Sequence, residues 1–153
     1  MKIISLAISK KKATRKQVIN EALLIKNHGI KGDAHAGNWH RQVSFLSSES
    51  IEVARRMGLD VSFGDFAENI ATEGIDWKTM PIGTRVKLGD SAFVEITQIG
   101  KECHTKCAIY YKAGDCIMPK EGVFAKVLEG GTIQCGDKIE ILPTDGSIKQ
   151  HFK

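Results

Sequence analysis

No apolar run in these 153 residues approaches the roughly 20 that a helix needs to cross a bilayer, so no spanning helix is expected. The opening residues Met1 to Ile8 alternate in polarity and lack a small-residue cleavage site behind an apolar core; they predict a first strand in a cytoplasmic protein. Aromatic residues are sparse and do not interleave with the basic run Lys10-Lys11-Lys12, Arg15-Lys16. With a net charge of only +4, that run predicts a solvated loop and not a nucleic-acid surface, although it is compatible with a phosphate-bearing small molecule. There is no P-loop, no Rossmann glycine pattern and no Ser-His-Asp order. No linker or repeat divides the chain, which predicts one domain over residues 1–143 and a flexible tail over 144–153.

Cysteine is also scarce, at four residues, and a chain of this size needs no disulfide staples; reduced thiols are expected. Paired C-x-x-C motifs are missing. A zinc site from Cys103, His104, Cys107 and either Cys116 or Cys135 is therefore the weaker reading, and Cys135, beside a Gly136-Asp137 turn, is expected to be structural.

What the chain does contain is alternating or β-branched segments: Ile3 to Ile8, Glu21 to Lys26, Arg41 to Leu46, Thr84 to Leu88, Ala92 to Ile99 and Lys138 to Leu142. They predict a mainly β, α+β domain. Gly89-Asp90 suits a tight turn joining two strands between Arg85 and Val94. A helix is expected from Ser47 to Gly58, opened by hydroxyl caps and acids, closed by arginines and glycine, and buried along Ile51, Ala54 and Met57. A second, shorter helix is expected from Glu121 to Leu128, ended by Gly130-Gly131.

Chemistry concentrates where three of the four cysteines cluster: Cys103-His104-Thr105-Lys106-Cys107, then Gly114-Asp115-Cys116. The thiolate is the nucleophilic and metal-binding form, and neighbouring cations favour it. A strand-like run ending at Ile99-Gly100 would present the first thiol on a loop at the mouth of a sheet. Burial as inert small hydrophobes is the competing reading. A second stretch, Gly29 to Gly37, sets Lys31, Asp33 and His35 among three glycines; it fits either a backbone that approaches an anion or an ordinary turn. Glu68-Asn69, in what reads as an apolar strand, must be hydrogen-bonded if buried, either anchoring a loop or facing a ligand.

In succession, Gly29-Ile30-Lys31-Gly32-Asp33-Ala34-His35-Ala36-Gly37, Arg41-Gln42-Val43-Ser44, Gly64-Asp65-Phe66-Ala67-Glu68-Asn69-Ile70, Pro81-Ile82-Gly83-Thr84 and Thr97-Gln98-Ile99-Gly100-Lys101-Glu102-Cys103 resemble the MOSC domain family, named for the C-terminal domain of molybdenum cofactor sulfurase. Gly114-Asp115-Cys116, Glu121-Gly122-Val123-Phe124-Ala125 and Gly131-Thr132-Ile133-Gln134-Cys135-Gly136-Asp137 continue the match in order. The resemblance implies a β-barrel-like fold with a few short helices and binding of molybdenum cofactor (molybdopterin). It implies Cys103, or else Cys107, as the thiolate on molybdenum, a role that suits a soft ligand, with His104 as a proton donor beside it. Lys31, His35, Arg41, Glu68 and Asn69 then become candidates to line the pterin and its phosphate. The implied roles are cofactor handling or reduction of N-hydroxylated compounds; alternatives are a persulfide sulfur carrier and a non-catalytic interaction domain. A catalytic version would be a molybdenum-dependent oxidoreductase or a sulfur transferase, served by cofactor-biosynthesis or electron-donor proteins. Neither nucleic acid nor membrane is an expected partner.

Overall fold

The structure is a computed structural model that describes residues 1–11, 15–100 and 122–143. The predicted thiol cluster at Cys103, His104, Cys107 and Cys116, and the predicted tail, lie outside the described residues. Eleven strands are described: β1 (Lys2–Ile8), β2 (Gln17–Ile19), β3 (Glu21–Ile25), β4 (Gly29–Ile30), β5 (Val43–Ser47), β6 (Ile70–Glu73), β7 (Arg85–Leu88), β8 (Ala92–Ile99), β9 (Val123–Glu129), β10 (Gly131–Gln134) and β11 (Ile139–Ile141). Among the described residues one α-helix, α1 (Ser48–Arg56), and one 3-10 turn, Trp77–Thr79, accompany them. The domain is mainly β, as its alternating segments predict. Among the described residues no helix is long and apolar enough to cross a membrane.

Eight strands form one mixed sheet in the order β11-β7-β8-β9-β5-β6-β1-β2, with β5 and β6 parallel. The sheet curls so that its two sides meet. Lys2 bridges to Lys138, the Ile3 amide donates to the Asp137 carbonyl at 2.9 Å, and the Gly136 amide donates to the Ile3 carbonyl at 2.7 Å. This seam gives the barrel-like closure, which satisfies backbone groups that would otherwise form an open edge. A smaller sheet, β10-β3-β4, completes the fold.

Two packed cores explain the sequence pattern. Ile3, Leu6, Phe45, Val94, Ile96, Val123, Ala125 and Val127 belong to the main core, whereas Leu46, Ile51, Ala54, Phe66 and Phe124 form a second cluster with α1. β9 therefore buries both faces, and this overturns the expected helix over Glu121 to Leu128. A central strand covered on both sides reads as a continuous apolar run, without the alternation that identifies half-buried strands.

The first expected helix is present. Ser47 caps it by accepting from the Ser50 amide at 3.1 Å, Glu49 lies in its first turn, and Arg55 and Arg56 lie in its last. Its buried stripe stops at Ala54. Met57 falls on the C-terminal cap, outside the helical turns, and is 75% exposed. Phe66 to Asn69 also departs from expectation: strand β6 begins only at Ile70, and Ala67 takes a positive φ of 61° in the preceding turn.

Candidate functional site

The loop from β4 to β5 is the structural form of the Gly29 to Arg41 motif. Gly29 is required at its start, with φ at 121° and a Cβ position only 2.6 Å from the Gln42 carbonyl oxygen. The loop folds on itself through the Gly37 amide to the His28 carbonyl at 2.7 Å, and reaches the end of β1 through the Ala34 amide to the Ser9 carbonyl at 2.7 Å.

Lys16 organises one half of this loop. The basic run was expected to be solvated, yet the Lys16 side chain is wholly buried, because it has a carboxylate to meet. Its Nζ lies 2.7 Å from Asp33 Oδ1, 3.2 Å from Ser9 Oγ and 3.1 Å from His35 Nδ1. Asp33 uses its other oxygen to accept from the His35 amide at 3.2 Å, and Oδ1 also accepts from the Ser9 amide at 3.0 Å. A buried ion pair of this kind offsets its desolvation only when its hydrogen bonds are complete, so removing one partner alone costs roughly 3–5 kcal/mol.

The other half meets the end of β8. Gln98 Oε1 accepts from Arg41 Nε and from His40 Nε2, each at 3.0 Å, while Gln98 Nε2 donates to the Gly100 carbonyl at 2.8 Å. An amide oxygen can only accept, so His40 carries its proton on Nε2. Thr97 Oγ1 donates to the His40 carbonyl, pinning the same turn to β8. The Arg41 guanidinium lies 5.8 Å from the Trp39 ring centre and 5.5 Å from that of Phe124, and Trp39 Nε1 donates to the His35 carbonyl at 2.7 Å. Its two terminal nitrogens have no hydrogen-bond partner among the described residues. Packed by rings and held at Nε, the fork presents donors in the guanidinium plane, the geometry that carboxylates and phosphates accept.

Glu68 and Asn69 anchor the chain. Glu68 accepts from the Gly64 amide at 2.7 Å and the Phe66 amide at 3.2 Å. Burial pushes its carboxyl up from 4.5 to about 7; these two amides pull it down, and Asp65 adds a smaller upward push. The Gly64 carbonyl in turn accepts from the Lys16 amide at 3.0 Å. Asn69 donates to the Ala7 carbonyl at 3.1 Å and accepts from the Ser44 amide at 2.9 Å. Lys31 is exposed, with its amide on the Leu23 carbonyl.

The structure thus brings His35 and Arg41 into one loop joined through Trp39, and sets Glu68 and Asn69 behind it as supports. Sequence reasoning passed over Trp39 and His40, assigned Lys16 to a solvated run, and gave Gln98 no role beyond its place in a motif. The amide of Gly100 donates to the Gly122 carbonyl at 2.7 Å, so the described residues on either side of 101–121 meet two positions beyond Gln98. Among the described residues no group of three His, Cys, Asp or Glu could hold a metal ion. Clefts beside α1 are lined by Glu49, Val53 and their neighbours and include none of the loop's residues. Cys135 is exposed at the turn before β11.

A family model described as the MOSC domain matches residues 32–140. Among solved structures, YuaD from Bacillus subtilis superposes with a TM-score of 0.74 at 20% identity, over 92% of this chain and 94% of that one. YiiM from Geobacillus stearothermophilus gives 0.69 at 19% identity, over 93% and 75%. YiiM from Escherichia coli gives 0.66 at 18%, over 95% and 71%. At such identities the likeness is one of fold. Compared with functionally curated sequences, the chain matches none.

Proposed function

The chain belongs to the MOSC domain family, and on that premise we propose that it binds molybdenum cofactor, with Cys103 or Cys107 as the thiolate ligand, in cofactor handling or in reduction of N-hydroxylated compounds. The observation that carries this reading is the Gln98 node. One side chain at the end of β8 fixes Arg41 and His40 beside Gly100, three residues before Cys103. Cys103 follows Gly100 by three residues and Cys107 by seven, at most roughly 11 and 25 Å of chain, and this shorter separation supports ranking Cys103 first.

The donor set fits the group. Arg41 offers an open guanidinium fork for the phosphate, Trp39 and His40 offer ring surface to a flat heterocycle, and His35 lies one hydrogen bond from Trp39. Lys31, exposed on the same loop, adds positive charge for an anionic ligand. Glu68 and Asn69 serve by holding the backbone behind these groups. When bound, the cofactor supplies a sulfur-ligated redox metal, and a cysteine thiolate is the protein ligand such a metal favours. The protein's own residues bind the anionic end and orient the ring, with His104, next to Cys103 in sequence, in the role of proton donor. Thiol chemistry of this kind suits a reducing, cytoplasmic setting with biosynthetic or electron-donor partners.

Protein purified from a cofactor-producing host should carry molybdenum and pterin in equal amounts. Replacing Cys103 and Cys107 together with Ala should remove the metal, and Arg41→Lys should lower retention of the pterin about tenfold, because an ammonium cannot form a bidentate pair. Elemental analysis with pterin fluorescence reads both. Metal-free protein that also fails to take up added cofactor refutes the proposal, and a labile extra sulfur on Cys103 or Cys107 without molybdenum would establish a sulfur carrier instead.

A further inference from the structure

The buried Lys16 has no part in the ligand contacts proposed above, yet it touches a residue of that site. An ammonium has three donors and no acceptor, so its 3.1 Å approach to His35 Nδ1 can be a hydrogen bond only if that nitrogen offers its lone pair. The neutral ring then carries its proton on Nε2. Asp33 fixes both parties at once, through Oδ1 to the ammonium at 2.7 Å and Oδ2 to the His35 amide at 3.2 Å. Ser9 adds a third acceptor to Lys16 at 3.2 Å. The lysine's backbone is held as well, by the Gly64 carbonyl, and a Cβ on Gly64 would collide with the Lys16 carbonyl oxygen. Backbone and ammonium are thus both constrained, and the imidazole is the one member of this group that is neither fully buried nor charged by necessity.

We propose that Lys16 is a positioning residue: anchored by Asp33, it fixes the tautomer and ring orientation of His35 so that Nε2–H is presented as a donor to an anionic oxygen of the bound ligand. The ligand side of this statement rests on the function proposed above; the tautomer does not. Partners that fix the tautomer of a metal-ligating histidine in this way commonly change affinity by roughly 10–100-fold when removed, which sets the scale expected for the partner of a ligand-binding histidine.

Long-range proton–nitrogen NMR of 15N-labelled protein at pH 8, with the His35 signals identified by their loss in His35→Ala, reads the tautomer directly. Wild type should show Nδ1 as an unprotonated acceptor and a single Nε2–H form. Because Lys16→Met alone leaves Asp33 buried without its partner, the comparison variant combines Lys16→Met with Asp33→Asn; it should show both tautomers. A proton on Nδ1 in wild type, or an unchanged single tautomer in the variant, overturns the proposal. In a Trp77→Phe background, leaving Trp39 as the sole indole, inorganic phosphate binding followed by fluorescence should weaken about tenfold in the paired variant and equally in His35→Ala, with no further loss when the changes are combined. Additive losses would also overturn it. Failure of wild type to bind phosphate counts against the oxyanion role, and therefore against the function proposed above, while the NMR result still decides the lysine–histidine link.

Discussion

Glu68 carries a pH dependence of its own. Its carboxyl holds a proton more tightly in the folded chain, where burial raises it to about 7, than in the unfolded chain near 4.5. The stabilisation from that proton is complete below about pH 4.5 and is lost as pH rises through about 7, a difference of roughly 3 kcal/mol. The unfolding free energy of wild type relative to Glu68→Gln, measured in urea, should therefore fall by that order between pH 4.5 and 8. A constant difference would mean that the Gly64 and Phe66 amides already hold Glu68 as a carboxylate. Composition shows that a buried Glu-Asn pair needs partners; it does not show which, since these lie in a turn and in distant strands. Lys16 was illegible for the same reason. It stands in a charged run, and its carboxylate is 17 positions away in sequence.

The helix α1 was read from its ends, and those ends are its most sensitive points. Ser47→Ala removes the acceptor for the Ser50 amide and should cost about 1 kcal/mol in urea unfolding, with Ser47→Asp largely restoring it. Caps are local chemistry and can be read without the fold. So can the β7–β8 hairpin, where Gly89 has φ at 63° and Leu88 pairs with Ala92. β9 shows what local reading misses. Whether Val123, Phe124, Val127 and Leu128 form a helix or a strand depends on two neighbours, β8 and β5, that supply ladder partners and two cores to fill. β2 and β4, at three and two residues, are too short for any periodicity to register.

Closure of the barrel at the β1–β11 seam is a property of the whole molecule. If the seam is intact in solution, the amides of Ile3 and Ile139 should exchange with deuterium about as slowly as that of Val94 in the central strands, and far more slowly than that of Val18 on the edge strand β2. Exchange at the Val18 rate would mean an open sheet. The MOSC-type order of strands was legible only through whole-motif resemblance, because the seam joins residues near opposite ends of the chain and leaves no periodic trace.

The Gly100–Gly122 backbone bond gives this architecture a particular freedom. It works like the collar of a socket: Gly100 and Gly122 are gripped together at the ends of β8 and β9, so the register of the two strands is held at that point by the described backbone alone. Loop-closure entropy grows only logarithmically with length. The chain between Gly100 and Gly122 could therefore be lengthened or shortened while the collar, and the Arg41–Gln98 contact beside it, stayed in place.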